Sequence, residues 1–110
     1  MKKILALSLL ASAFMAAAAY AATAADNWDN NCAKCHGADG SGNTKMGKKL
    51  KLKDYTDANV QAGLKDEGIF KAIKDGVKDE NGKDRMKGFK DDLSDTEVTD
   101  LVASIRKMKK

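Results

Sequence analysis

The segment Cys32-Ala33-Lys34-Cys35-His36 constrains this chain more than any other five residues. It contains both cysteines and the single histidine of the sequence. A zinc site asks for four ligands from cysteine, histidine or carboxylate; here Cys and His supply three. A thioredoxin-like dithiol belongs near a βαβ pattern, and none follows. A disulfide between Cys32 and Cys35 would close a very short loop and stabilise little. C-x-x-C-H is instead the pattern of covalent haem attachment. Each thiol can add to one vinyl group, and the histidine that follows is then held under the iron as an axial ligand.

The first residues address the compartment. Lys2 and Lys3 precede an apolar run from Ile4 to Met15, and small residues continue to Ala25. This is the layout of a cleaved secretory signal peptide. Residues 1–22 are assigned to it, with an end between 21 and 25 and A-x-A options closing at Ala21 or Ala24. The apolar stretch from Ile4 to Ala19 falls short of the roughly 20 residues a spanning helix needs. No second hydrophobic segment follows, so no stable membrane insertion is expected after cleavage. The expected destination is the periplasm. An oxidising compartment would join the two thiols, so haem has to reach them while they are reduced.

Residues 23–110 then form one small domain of about 85 to 89 residues. Its apolar set is thin, and domains of this size often need a staple, a metal or a cofactor. A buried porphyrin would supply the missing bulk. The full chain carries 20 basic and 16 acidic residues. Loss of Lys2 and Lys3 lowers the formal charge from +4 to +2. So weak an excess, without a dense basic stripe, argues against a nucleic-acid partner.

Proline is absent throughout, so glycine punctuates the chain. A short helix is expected from Asp26 to Lys34, capped by Asp26 or Asn27, with Trp28 and Cys32 on one face. Gly37 to Asn43 lacks the phosphate-loop pattern and is expected to wrap its backbone tightly over the haem. A short helix should run from Asp54 to Gly63. A stronger one spans Asp66 to Asp75, with Asp66 as cap, a stripe of Ile69, Phe70 and Ile73, and a stop at Gly76. Residues 79–82 mark a turn. Ser94-Asp95-Thr96-Glu97 is a capping box, followed by Val98, Leu101, Val102 and Ile105 at helical spacing. No strand-period run of useful length appears, so the domain is expected to be all-α.

A lone histidine excludes two histidine ligands from this chain. The candidates opposite His36 are a methionine, a lysine or an open site. Met1 and Met15 leave with the signal peptide. Met46 lies too soon after His36 to reach the opposite haem face easily, and Met108 sits near the end of the last helix. Met86, in the loop Arg85-Met86-Lys87-Gly88-Phe89, is the favoured distal ligand. A His/Met pair raises the potential of the haem and closes both axial positions, which points to electron transfer.

With these residues in hand, the chain resembles a small class I, monohaem cytochrome c of the bacterial periplasmic type. The resemblance spans the domain. It rests on Trp28, Cys32-x-x-Cys35-His36-Gly37 with Ala38-Asp39-Gly40, Ile69-Phe70-x-x-Ile73-x-x-Gly76, Met86-Lys87-Gly88-Phe89 and Leu93-Ser94-x-x-Glu97-Val98. It implies three to five short helices wrapped around one covalently bound haem c, with the N- and C-terminal helices crossing. Trp28 would lie near that crossing, against Leu101, Val102 or Ile105. It also implies a mobile, monomeric one-electron carrier that is not an enzyme. One departure stands out: Lys87 occupies the position after the ligand Met where the family often has proline, which implies a looser ligand loop.

Lysines cluster at Lys45, Lys48, Lys49, Lys51 and Lys53, and basic residues recur at Lys83, Arg85, Lys87 and Lys90. A basic ring round the haem edge would steer acidic redox partners; interleaved Asp84, Asp91 and Asp92 fit a merely solvated surface as well. The rival function is a haem protein with an open or labile sixth site, a gas sensor or weak peroxidase. It requires that Met86 not ligate.

Overall fold

The computed structural model describes residues 22–110. The expected signal segment lies outside them, apart from its last residue. Helix α1, Ala24–Asn31, opens at Thr23, whose hydroxyl accepts from the Asp26 amide at 3.2 Å. The cap therefore sits earlier than Asp26 or Asn27. Asn27 faces inward instead, only 4% exposed, and donates through Nδ2 to Glu97 at 2.9 Å. A tertiary partner seventy residues away outweighs its local capping preference. The helix also breaks at Cys32 and resumes as α2, Ala33–His36, so the expected single helix through Lys34 is two.

Helix α3, Lys45–Leu50, has no counterpart among the expected elements. Its six residues carry three lysines and no apolar stripe. Thr44 explains it: its hydroxyl accepts from Gly47 N at 2.8 Å and donates to the Cys35 carbonyl at 2.5 Å. The cap thus ties α3 to the end of α2. Helix α4, Ala58–Gly63, is capped by Asp57 and starts later than expected. Asp54 turns the chain first, accepting from the Thr56 amide and hydroxyl at 2.8 and 2.6 Å.

Helix α5, Asp66–Asp75, has the expected bounds and ends at Gly76, where φ is +79°. Lys65 occupies its cap position and makes no side-chain cap bond. Asp66 lies inside the first turn and pairs with Arg106 at 2.6 Å. Strands β1, Val77–Lys78, and β2, Asp84–Met86, then form an antiparallel hairpin around the expected turn. Strands of two and three residues are too short to show alternation in a sequence. Helix α6, Asp95–Arg106, carries the expected capping box, with both reciprocal bonds between Ser94 and Glu97. Apart from the hairpin, every regular element among the described residues is helical, six helices rather than the expected three to five, because the first expected helix is split at Cys32 and α3 is added.

The core forms where α1 and α5 pack on α6. Val98 and Leu101 are fully buried, and Trp28, Ile73, Val102 and Ile105 join them. Each large apolar side chain contributes about 1.5–3 kcal/mol on burial, against about 1 kcal/mol for a cap. Packing therefore sets where these helices lie, and caps adjust their ends. Arg106 locks α6 to the α4–α5 connection, donating to the carbonyls of Gln61 and Leu64 at 2.7 and 2.6 Å. Gln61, itself buried, donates to the carbonyls of Tyr55 and Ile105, both at 2.8 Å. No helix among the described residues is long and apolar enough to cross a membrane.

Candidate functional site

The packed helices leave a cavity of about 770 Å³, walled mainly by apolar atoms. That volume falls within the roughly 300–1,000 Å³ of cofactor and ligand sites. Cys32, Cys35, His36 and Met86 all line it. The first three come from the α1–α2 junction and α2, the fourth from the end of β2. Met46 and Met108 are not among the lining residues. Met46 is exposed on α3, and Met108 packs behind the Gly37–Asn43 loop, with its sulfur under Gly40.

That loop corrects an expectation. It does not wrap the cavity; none of residues 37–43 lines it. It closes the back of the motif instead. A Cβ on Gly40, whose φ is +79°, would lie 2.4 Å from the Met108 sulfur, and Gly42 packs on the Leu52 carbonyl. The Gly37 carbonyl accepts from Trp28 Nε1 at 2.9 Å, which satisfies the buried indole and fixes the turn below His36. Gly37, at φ +86°, lets the chain reverse directly after the histidine.

Two aromatic rings lie against His36. Tyr55 stacks on it with centroids 5.5 Å apart and planes 21° apart, and Trp28 lies 5.7 Å away on a tilt. Burial lowers the imidazole pKa, so the ring stays neutral at neutral pH, the form that binds a metal. Its Nδ1 is buried without a hydrogen-bond partner. Both cysteines are free thiols. Burial, reinforced by Cys35, pushes the Cys32 thiol up to about 11. Burial followed by the influence of Cys32 also raises the Tyr55 phenol. Tyr55 is a site neighbour that no motif announces, because only the turn at Asp54 and the bond from its amide to the Gly40 carbonyl bring it to the ring.

The donor set fits a covalently held haem. Two thiols, a neutral imidazole and a thioether reach one apolar cavity, and no group of three or more Cys, His, Asp or Glu placed to hold a bare metal ion occurs among the described residues. The lining also includes Lys51, Lys53, Lys65, Arg85 and Lys87, and no carboxylate. Lys65 adds to the basic residues singled out from sequence.

Comparison with known proteins agrees. The family model described as cytochrome C oxidase, cbb3-type, subunit III matches residues 19–105. The chain is similar to the solved structure of KustC0563 c-type cytochrome at 32% identity and a TM-score of 0.69, covering 81% of this chain and all of that one. A point mutant of the same cytochrome gives 32% identity and a TM-score of 0.67 over 80% of this chain and all of that one. A search of curated proteins gives no match. Motif, cavity and relatives converge, and this chain belongs to the cbb3-type subunit III family of cytochrome c domains as a small monohaem c-type cytochrome with covalently bound haem c.

Proposed function

We propose that this protein is a soluble one-electron carrier of the periplasm, formed by residues 23–110 after removal of residues 1–22. One observation carries the reading: Cys32, Cys35, His36 and Met86, and neither of the other two methionines of that domain, line a single apolar cavity. Haem c, when bound, supplies an iron that alternates between Fe(II) and Fe(III). The chain's own residues set the terms. Cys32 and Cys35 would hold the porphyrin through thioethers. His36 would offer the iron a neutral nitrogen, its ring steadied by Tyr55 and Trp28. Met86 would offer a soft, uncharged sulfur, which favours the reduced iron and raises the potential. Ile69, Ala72 and Ile73 of α5 and Leu101 and Ile105 of α6 give the cavity apolar walls, and no residue acts as a catalytic group. The cationic lining suits acidic redox partners, which the carrier would meet as a monomer.

The oxidised optical spectrum of the holo-protein, wild type beside Met86→Ala, tests the ligand set. The wild type should show the weak near-infrared thioether band of a low-spin haem. Met86→Ala should lose it and become high-spin. An unchanged spectrum in the variant would remove Met86 as ligand: a band kept in both proteins would pass the role to Met46 or Met108, and a band absent from both would favour a lysine or the open-site reading, a gas sensor or weak peroxidase.

A further inference from the structure

The hairpin that carries Met86 contains a bulge whose extra residue is Arg85. Val77 pairs with Met86 and Lys78 with Asp84, so Arg85 has no partner across the ladder. In a regular strand, successive side chains point to opposite faces; a bulge re-aims one of them. Here Arg85 and Met86 both line the cavity despite being consecutive. The Arg85 guanidinium donates to the carbonyl of Leu50 at 2.5 Å, joining residues 35 apart in sequence. Leu50 ends α3, and helix ends leave carbonyls without an intrahelical partner. The Arg85 cation meets the negative end of that helix. The next residue, Lys51, takes a left-handed φ of +55°, the only non-glycine among the described residues to do so.

On the far side, the loop after Met86 is fixed to α5. Phe89 N donates to Ile73 O at 2.8 Å, and Lys90 N to Lys74 O at 3.2 Å. The Met86 segment is thus held on one flank by backbone bonds to α5 and on the other by one side chain. We propose that Arg85 is a positioning residue: its bulge-directed bond to Leu50 straps the Met86 loop to α3 and keeps the thioether at the iron. The strap supplies the stiffness that proline after the methionine would otherwise give. This inference rests on Met86 being the distal ligand.

Imidazole is the probe, since it competes with the methionine for the sixth position and its binding is read as loss of the thioether band. Holo-protein carrying Arg85→Gln should keep the band yet bind imidazole about fivefold more tightly, the scale of one net hydrogen bond. Arg85→Lys, which retains a cationic donor, should recover part of the difference. Lys78→Gln removes another cation of the hairpin, paired with Asp84 at 2.8 Å, and should leave imidazole affinity unchanged. Equal affinity in Arg85→Gln and wild type overturns the strap. So does an equal rise in Lys78→Gln, which would make the effect one of charge alone. If Met86→Ala leaves the band intact, the ligand assignment itself has failed and the strap falls with it. Loss of the band in that variant with no effect of Arg85→Gln removes the strap only.

Discussion

Glu97 does two jobs with one carboxylate. It accepts from the Ser94 amide at 3.2 Å in the capping box and from Asn27 Nδ2 at 2.9 Å, which ties α6 to α1. The Asn27 bond first, then the Ser94 amide, lowers its pKa below 4.5. A carboxylate with a depressed folded-state pKa stabilises the fold above its unfolded value and loses that contribution as pH falls through the folded one. Glu97→Gln should therefore lower the thermal midpoint at pH 7, and the gap to wild type should narrow below about pH 4. Melting both holo-proteins across that range checks it; a gap independent of pH would show that the charge contributes nothing. Tyr55 shows the opposite case at this scale. Its place against His36 depends on a turn at Asp54 and a backbone bond to Gly40, neither of which leaves a spacing pattern.

At the scale of elements, the junction between α5 and the Met86 loop is a close backbone joint. Gly76 and Gly88 face backbone directly: a Cβ on Gly76 would lie 2.5 Å from the Met86 carbonyl oxygen, and one on Gly88 would lie 2.6 Å from that of Lys74. Gly76 also has φ +79°. Gly82, in the hairpin turn, has nearly the same φ, +77°, with nothing near its missing Cβ. The two form a matched pair. Gly82→Ala should cost only the left-handed penalty, about 1–2 kcal/mol. Gly76→Ala should cost more, because backbone has to move, and should weaken the thioether band before the protein unfolds. Denaturant titration of both variants, followed at that band and by far-ultraviolet circular dichroism, separates the two effects. Equal costs would mean that the close approach of Gly76 to the Met86 segment carries no energy.

Across the whole molecule, charge is distributed more informatively than its total implies. The sequence has 16 acidic residues, yet none lines the cavity, where five basic residues do. Interleaving along the chain hides this, because Asp84, Asp91 and Asp92 stand beside Arg85, Lys87 and Lys90 in sequence. In the fold Asp84 pairs with Lys78, away from the lining, whereas Asp92 pairs with Lys87 of the lining at 3.3 Å. A field of that kind guides encounter with an acidic partner over about one Debye length, roughly 8 Å at physiological salt. Electron-transfer rates with an acidic redox protein should fall steeply as ionic strength rises. A rate flat across ionic strength would remove steering and leave the lysines as solvated surface.

What the sequence determined by itself is whatever depends on neighbours along the chain. The C-x-x-C-H motif, the capping box at Ser94, the apolar stripes of α5 and α6 and the stop at Gly76 are all local patterns, and each was legible because its physics acts within a turn or two of helix. The fold class followed from them. The tertiary structure alone decided the rest. It moved the first cap to Thr23 because Asn27 had a distant partner in Glu97. It made α3 from a lysine-rich stretch through a bond from Thr44 to the Cys35 carbonyl. It turned the glycine loop away from the cavity to back the histidine. It set Arg85 beside Met86 through a bulge in a hairpin too short to read. Each of these depends on contacts between residues far apart in the chain, whose energy exists only once the helices have packed.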